Sequence, residues 1–101
     1  MQLIQILLPR YSNSGKPFPF SHYQKVKHEL TQRFKGLTAY NRSPAEGRWV
    51  KGATTKRDEI LVYEVMSASK DVRWWKKFRN RLEKQFHQES IVIRSQKIRL
   101  L

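Results

Sequence analysis

A set of charged side chains stands inside segments that otherwise read as apolar or extended: Arg42, Arg48, Arg57 with Asp58, Glu64, Glu89 and Arg94. A carboxylate inside a buried strand is costly unless paired, so Glu64 and Glu89 are expected to meet arginines or to lie on the open face of a sheet. Two uses of the set stay open. Ion pairs would fix strand register or a dimer contact. Alternatively, the same charges would form a polar pocket on the uncovered face of a sheet, walled by Tyr40, Trp49 and Tyr63. For such a pocket the ligand-binding candidates are Tyr40, Arg42, Trp49, Glu64, Glu89 and Arg94, and the ligand class is small and polar or anionic.

A second constellation is the stretch RWWKKFRNR, Arg73 to Arg81. With Trp75 set at zero and about 100° per residue, Val72, Phe78, Leu82 and Phe86 fall within about 60° of it, which makes them the stripe that faces a core. Trp74 lies about 100° away, at the boundary, where an indole covers apolar surface and keeps its N–H wet. Arg73, Lys76, Lys77, Arg81, Lys84 and His87 gather on the other side. The tryptophans therefore do not interleave with the cations as base-stacking platforms would. What is left is a cationic face, Arg73, Lys76, Lys77, Arg81 and Lys84, able to grip phosphates without reading sequence, or simply a solvated helix face. Membrane-surface binding is disfavoured because the apolar stripe is committed to the core.

Other chemistries find little support. The chain has no cysteine, which removes disulfides, thiolate metal sites and cysteine nucleophiles and suits a reducing cytoplasm. His22 and His28 are too far apart to share a helix face at i, i+4 spacing, and His87 closes another helix, so neither a metal nor another cofactor is expected. No G-x-S-x-G elbow surrounds any serine. The SGK of residues 14–16 lacks the upstream glycine of a phosphate loop and is followed by Pro17. Pro9 and Arg10 stand where a small metal-dependent nuclease would want a carboxylate after its first strand.

These residues need a scaffold, and 101 residues with 39% hydrophobic and 12% aromatic side chains suit one packed domain over residues 1–101. Lys and Arg outnumber Asp and Glu by 21 to 8, for a net charge of +13. A field of that sign favours polyanionic partners whatever the fold. The apolar run Leu3 to Leu8 is short for a leader and meets Pro9, and no stretch approaches the roughly 20 apolar residues of a membrane span.

The elements follow from periodicity. Gln2 to Leu8 reads as a central strand ended by Pro9, and the loop to Phe20 holds Asn13, Gly15, Pro17 and Pro19. Ser21 with Gln24 forms a capping-box signature for a helix over about His22 to Lys35, with stripe Tyr23, Val26, Leu30 and Phe34 and with Gly36 as a left-handed stop. Leu37 to Arg42 alternates as a half-buried strand with Thr38, Tyr40 and Arg42 on one face. A short extra strand is expected around Trp49, and Ile60 to Met66 is the strongest strand. Ser67 or Ser69 is expected to cap a second helix reaching roughly to His87. Ile91 to Ile93 should begin a last strand that resumes near Ile98 to Leu101. The order is that of a ferredoxin-like α+β sandwich, the split βαβ arrangement, with two helices on one face of an antiparallel sheet and the first and third main strands central.

GLTAYNRSPAEGRW, RDEILVYEVM, WWKKFRNRLEKQF and QESIVIR together resemble a family of small bacterial proteins of unknown function. A second uncharacterised family with a G-L-T … G-x-W … F-x-Q-E-S layout is more distantly similar. The likeness runs from Leu8 to Arg94 and implies a compact α+β domain; it implies no activity, and the family is not notably basic. Three functions are carried forward: a homodimeric module binding a small polar or anionic ligand on the open sheet face, sequence-independent nucleic-acid binding through the second helix, and a cofactor-free enzyme of the dimeric α/β-barrel kind using the same open-face pocket.

Overall fold

The structure, a computed structural model, describes residues 1–34, 36–42 and 59–101, with the backbone alone for 40–42. The elements are β1 (Gln2–Pro9), α1 (Phe20–Arg33), β2 (Thr38–Arg42), β3 (Ile60–Ser67), α2 (Val72–Gln85) and β4 (Ile93–Lys97). The strands form one antiparallel sheet in the order β2-β3-β1-β4, so β1 and β3 are central and β2 and β4 are edges. β1 and β2, joined through α1, run the same way with β3 between them. That is the split βαβ arrangement expected from the pattern of elements.

Period-2 alternation decides which side chains meet the helices. On β1, Ile4, Ile6 and Leu8 are buried; their partners across the ladder are Val65, Tyr63 and Leu61 on β3. These residues join Tyr23, Val26 and Leu30 of α1, Trp75, Phe78 and Leu82 of α2, and the following Phe86 and Ile91 in one core cluster. The other sheet face carries Leu3, Gln5 and Leu7 of β1 and Val62, Glu64 and Met66 of β3. It is not uniformly open, because Val62 there is 0% exposed.

Helix boundaries depart from the local signals for tertiary reasons. α1 starts at Phe20, with Pro19 in extended backbone at the cap position and no side-chain cap, so the Ser21–Gln24 box is not formed. Instead, the Tyr23 hydroxyl donates to Pro9 O at 2.6 Å and Phe18 packs edge-on against Phe86 at 5.0 Å, tying the helix entry to the end of β1 and to α2. At its far end, Phe34 leaves the helix in extended conformation (φ −119, ψ 149) and stacks on Trp75 at 5.4 Å. Gly36 is not the left-handed stop; Gly15, at φ 87, is the glycine with positive φ among the described residues.

α2 is capped by Asp71 rather than by a serine. Its carboxylate accepts from Trp74 N–H, whereas Ser67 is occupied in the preceding turn, donating to Ser69 O at 2.7 Å. The helix stops at Gln85 because His87 turns left-handed (φ 51). His87 N–H donates to Lys84 O and Gln88 N–H to Glu83 O, the pair of bonds of a Schellman motif.

The last strand also differs from expectation. Ile91 is a core anchor whose N–H donates to the Glu83 carboxylate at 3.0 Å, and the strand proper is the polar stretch Ile93–Lys97. Its polarity hides it from a periodicity search, yet an edge strand that pairs on one side only tolerates such a composition. The expected strand around Trp49 lies outside the described residues.

Candidate anion-binding cleft at the sheet edge

Register places a polar row across the helix-free face: Thr38 opposite Glu64, Glu64 opposite Gln5, and Gln5 opposite Arg94. Arg94 Nε donates to Gln5 Oε1 at 2.8 Å, and Gln5 Nε2 donates to Glu64 Oε2 at 2.6 Å. One neutral amide thus accepts from a cation and donates to an anion. Glu64 and Arg94, singled out from sequence, do share a face. Gln5, which joins them, was missed, although the signal existed: it is the one polar residue between Leu3 and Leu8.

The other pocket candidates fare differently. Tyr40 and Arg42 pair with Val62 and Ile60, positions that share the face of Glu64. Trp49, with Arg48, Arg57 and Asp58, lies outside the described residues. Glu89 is exposed in the α2–β4 connection rather than on the sheet, because the chain anchors through Ile91 and pairs as a strand only from Ile93. Tyr63 is no wall of an open pocket. It lies opposite Ile6 in the helix-covered core, and burial pushes its phenol above the ordinary value.

The cations of α2 divide among three flanks. Arg73, Lys77 and Lys84 fall within about 40° of the point opposite Trp75, at the outer apex. Arg81 turns toward α1, where it bonds Glu29 and lies over the Phe78 ring at 5.3 Å. Lys76 turns the other way, toward β4, with Val72 and Arg79. Val72, counted in the core stripe from sequence, is 57% exposed, since its side of the helix overhangs the sheet edge rather than the sheet centre.

Between that flank and β4 lies a cleft of about 190 Å³. Its floor is apolar, built by Ile4, Val72, Trp75 and Ile93, and its surround is cationic, with Lys70, Lys76, Arg79 and Arg94; Ser95 completes the lining. Among the described residues, no carboxylate lines it. Arg79 has Glu83 at 3.8 Å, while Lys70 and Lys76 have no acidic partner among the described residues. Lys76 and Arg94 both border it, Lys76 from the helix and Arg94 from the edge strand, with the Arg94 side chain turned to Gln5 on the helix-free face.

No protein-family model, curated protein or solved structure matches the chain. Its chemistry is therefore read from the cleft itself. An apolar floor under several cations suits an anion with an apolar body: the floor removes hydrocarbon from water, and the cations supply charge-assisted hydrogen bonds. Among the described residues, the lining holds no histidine, carboxylate or tyrosine.

A second groove, about 440 Å³, runs between α1 and the sheet and is lined by Arg10, Phe18, Phe20, Tyr23, Lys27 and Tyr63 among others. Burial, only partly offset by the Arg10 guanidinium, pushes the Tyr23 phenol up to about 12, and its proton is already donated to Pro9 O. Tyr23 therefore serves as a structural donor there rather than as a general base. Among the described residues, no helix is long and apolar enough to cross a membrane.

Proposed function

We propose that this protein is a non-catalytic binding module that holds a small anionic ligand with an apolar body in the cleft between α2 and β4. The observation that carries this reading is the set of cations Lys70, Lys76 and Arg79 around the apolar floor of Ile4, Val72, Trp75 and Ile93. Arg94 turns the other way, to Gln5 on the helix-free face, and among the described residues its terminal guanidinium nitrogens make no hydrogen bond. They are presented for a bidentate carboxylate or phosphate contact. The polar row of the sheet face ends at this residue.

The test is a titration with 2-naphthoate, an aromatic carboxylate followed by its own fluorescence, against 2-naphthol methyl ether as the uncharged analogue. Saturable binding of the carboxylate, weakened about tenfold in a Lys70→Gln, Lys76→Gln double variant that folds normally, supports the reading. Equal affinity in the double variant, or equal affinity for the ether, sinks it.

Homodimerisation through the helix-free face belongs to the same proposal. What supports it is Met66, 50% exposed on that face beside its ladder partner Leu3. A monomer in sedimentation at high micromolar concentration removes that part. A second reading, sequence-independent contact with nucleic acid, is favoured by the apex cations Arg73, Lys77 and Lys84, which have no acidic partner among the described residues. Counterion release requires that such binding weaken steeply between 50 and 200 mM salt, by roughly 10³-fold or more if several phosphates are contacted. Affinity that is flat with salt excludes it.

A further inference from the structure

Among the described residues no strand pairs with the outer edge of β4, and this edge borders the cleft. Two bonds fix which way its backbone points: Leu7 N–H donates to Val92 O at 3.0 Å, and Ile98 N–H donates to Met1 O at 2.9 Å. Hydrogen-bonded pairs in an antiparallel ladder recur at every second residue, so Val92, Arg94, Gln96 and Ile98 turn their backbone groups toward β1. Ile93, Ser95 and Lys97 turn theirs outward, and no strand pairs with them among the described residues. Side chains alternate in step. Ile93 and Ser95 lie on the helix side, where they line the cleft, and Arg94 and Gln96 lie on the helix-free side.

We propose, resting on the anionic-cleft reading and extending it, that the natural occupant is an extended segment of another protein with alternating apolar and acidic residues, added to β4 as a fifth strand. Its backbone pairs with the outward N–H and C=O groups of Ile93, Ser95 and Lys97, as in strand addition generally. Apolar side chains on one face of the segment enter the floor of Ile4, Val72 and Trp75. Acidic side chains on the other face meet the terminal guanidinium nitrogens of Arg94, which make no hydrogen bond among the described residues. A second copy of this chain is the disfavoured occupant, because edge-to-edge pairing would set Arg94 and Lys97 of one copy against the same cations of the other. Charge complementarity therefore selects an acidic partner.

The experiment uses a labelled seven-residue peptide of alternating valine and glutamate, read by fluorescence anisotropy at physiological salt, with amide exchange by NMR on the full-length protein. The expected result is saturable binding, with new protection of the Ser95 and Lys97 amides and at least tenfold loss for the valine–lysine peptide. N-methylation at alternate peptide amides should abolish binding in one register and spare it in the other, because only one set of amides faces β4. Lys97→Pro, at an outward-facing amide outside the cleft lining and of a kind that edge strands tolerate on their solvent side, should weaken peptide binding at least tenfold while leaving 2-naphthoate binding intact. Indifference to N-methylation in both registers overturns strand addition, as does equal affinity for a block peptide of the same composition. Absence of peptide binding while 2-naphthoate still binds overturns this proposal alone. Absence of both overturns the cleft reading with it.

Discussion

Arg94 on the edge strand and Glu64 on β3 are joined through the side-chain amide of Gln5 on the strand between them. The geometry suits an amide in a way that neither an apolar nor a charged residue could match. Gln5→Leu should cost about 1–2 kcal/mol, as the hydrogen bonds to two charged groups are lost. Gln5→Glu keeps an acceptor for Arg94 but sets two carboxylates side by side, so it should be the more destabilising of the two at pH 7. Urea unfolding of the two variants checks the order; curves identical to the parent's would mean that the bridge contributes nothing.

His87 occupies the left-handed position that ends α2, at φ 51. A side chain there is strained by roughly 1 kcal/mol relative to glycine. His87→Gly should therefore stabilise the fold by about 0.5–1 kcal/mol, visible as a rise in Tm of several degrees. His87→Val should do the opposite.

Asp71 serves two helices at once, capping α2 through Trp74 N–H and pairing with Arg33, whose guanidinium lies over the Trp74 ring at 4.4 Å. Asp71→Asn keeps the cap acceptor and tolerates the left-handed backbone at φ 35, losing only an exposed ion pair worth about 0–1 kcal/mol. Asp71→Ala loses both and should cost about 1–2 kcal/mol. Equal losses for the two variants would mean that the cap contributes nothing.

Tyr23 couples stability to alkaline pH. Its folded-state pKa, pushed up to about 12, lies above the ordinary tyrosine value of 10.0, so the unfolded chain releases this proton first. The resulting stabilisation is complete below pH 10 and is lost as pH rises through 12. Tyr63, also raised by burial, adds to the loss in the same direction. Tyr23→Phe should be about 1 kcal/mol less stable at pH 7, through loss of the bond to Pro9 O, and its stability should fall less steeply between pH 10 and 12. Parallel pH profiles for the two proteins would contradict this.

Val72 and Phe78 belong to the same helical stripe by angle, yet Val72 is 57% exposed and Phe78 is 0% exposed. Phe78→Ala should cost about 3–5 kcal/mol and Val72→Ala under about 0.5 kcal/mol. Chemical denaturation distinguishes the two outcomes directly.

That contrast marks how far the sequence reading reached. Periodicity located β1, β3 and both helices, named Tyr23, Val26, Leu30, Trp75, Phe78 and Leu82 as core, and set Trp74 at the boundary. All of these depend on a repeat that the solvent imposes on one element at a time. β4 was misplaced because an edge strand is polar and carries no such repeat. The helix ends were misplaced because contacts distant in sequence outcompeted the local signals: Tyr23 with Pro9, Phe34 with Trp75, and the Glu83 carboxylate with Ile91 N–H.

The candidate site divides in the same way. Glu64 and Arg94 were legible as charges where strands should be apolar. Their link through Gln5 was not, since it depends on the register of three strands, and register is set only when the sheet assembles. Tyr63 was put on the wrong face, because a one-residue step along a strand reverses the side and an aromatic residue suits either. The cleft itself has no signature at all, since Ile4, Trp75 and Ile93 come from three different elements. By itself the sequence determined the α+β order, the core stripes and the excess of positive charge, because these follow from local periodicity and composition. Only the tertiary structure decided that Lys76 borders a cleft beside a strand edge left unpaired among the described residues, because the packing angle between α2 and β4 and the order of strands in the sheet exist only once the layers have come together.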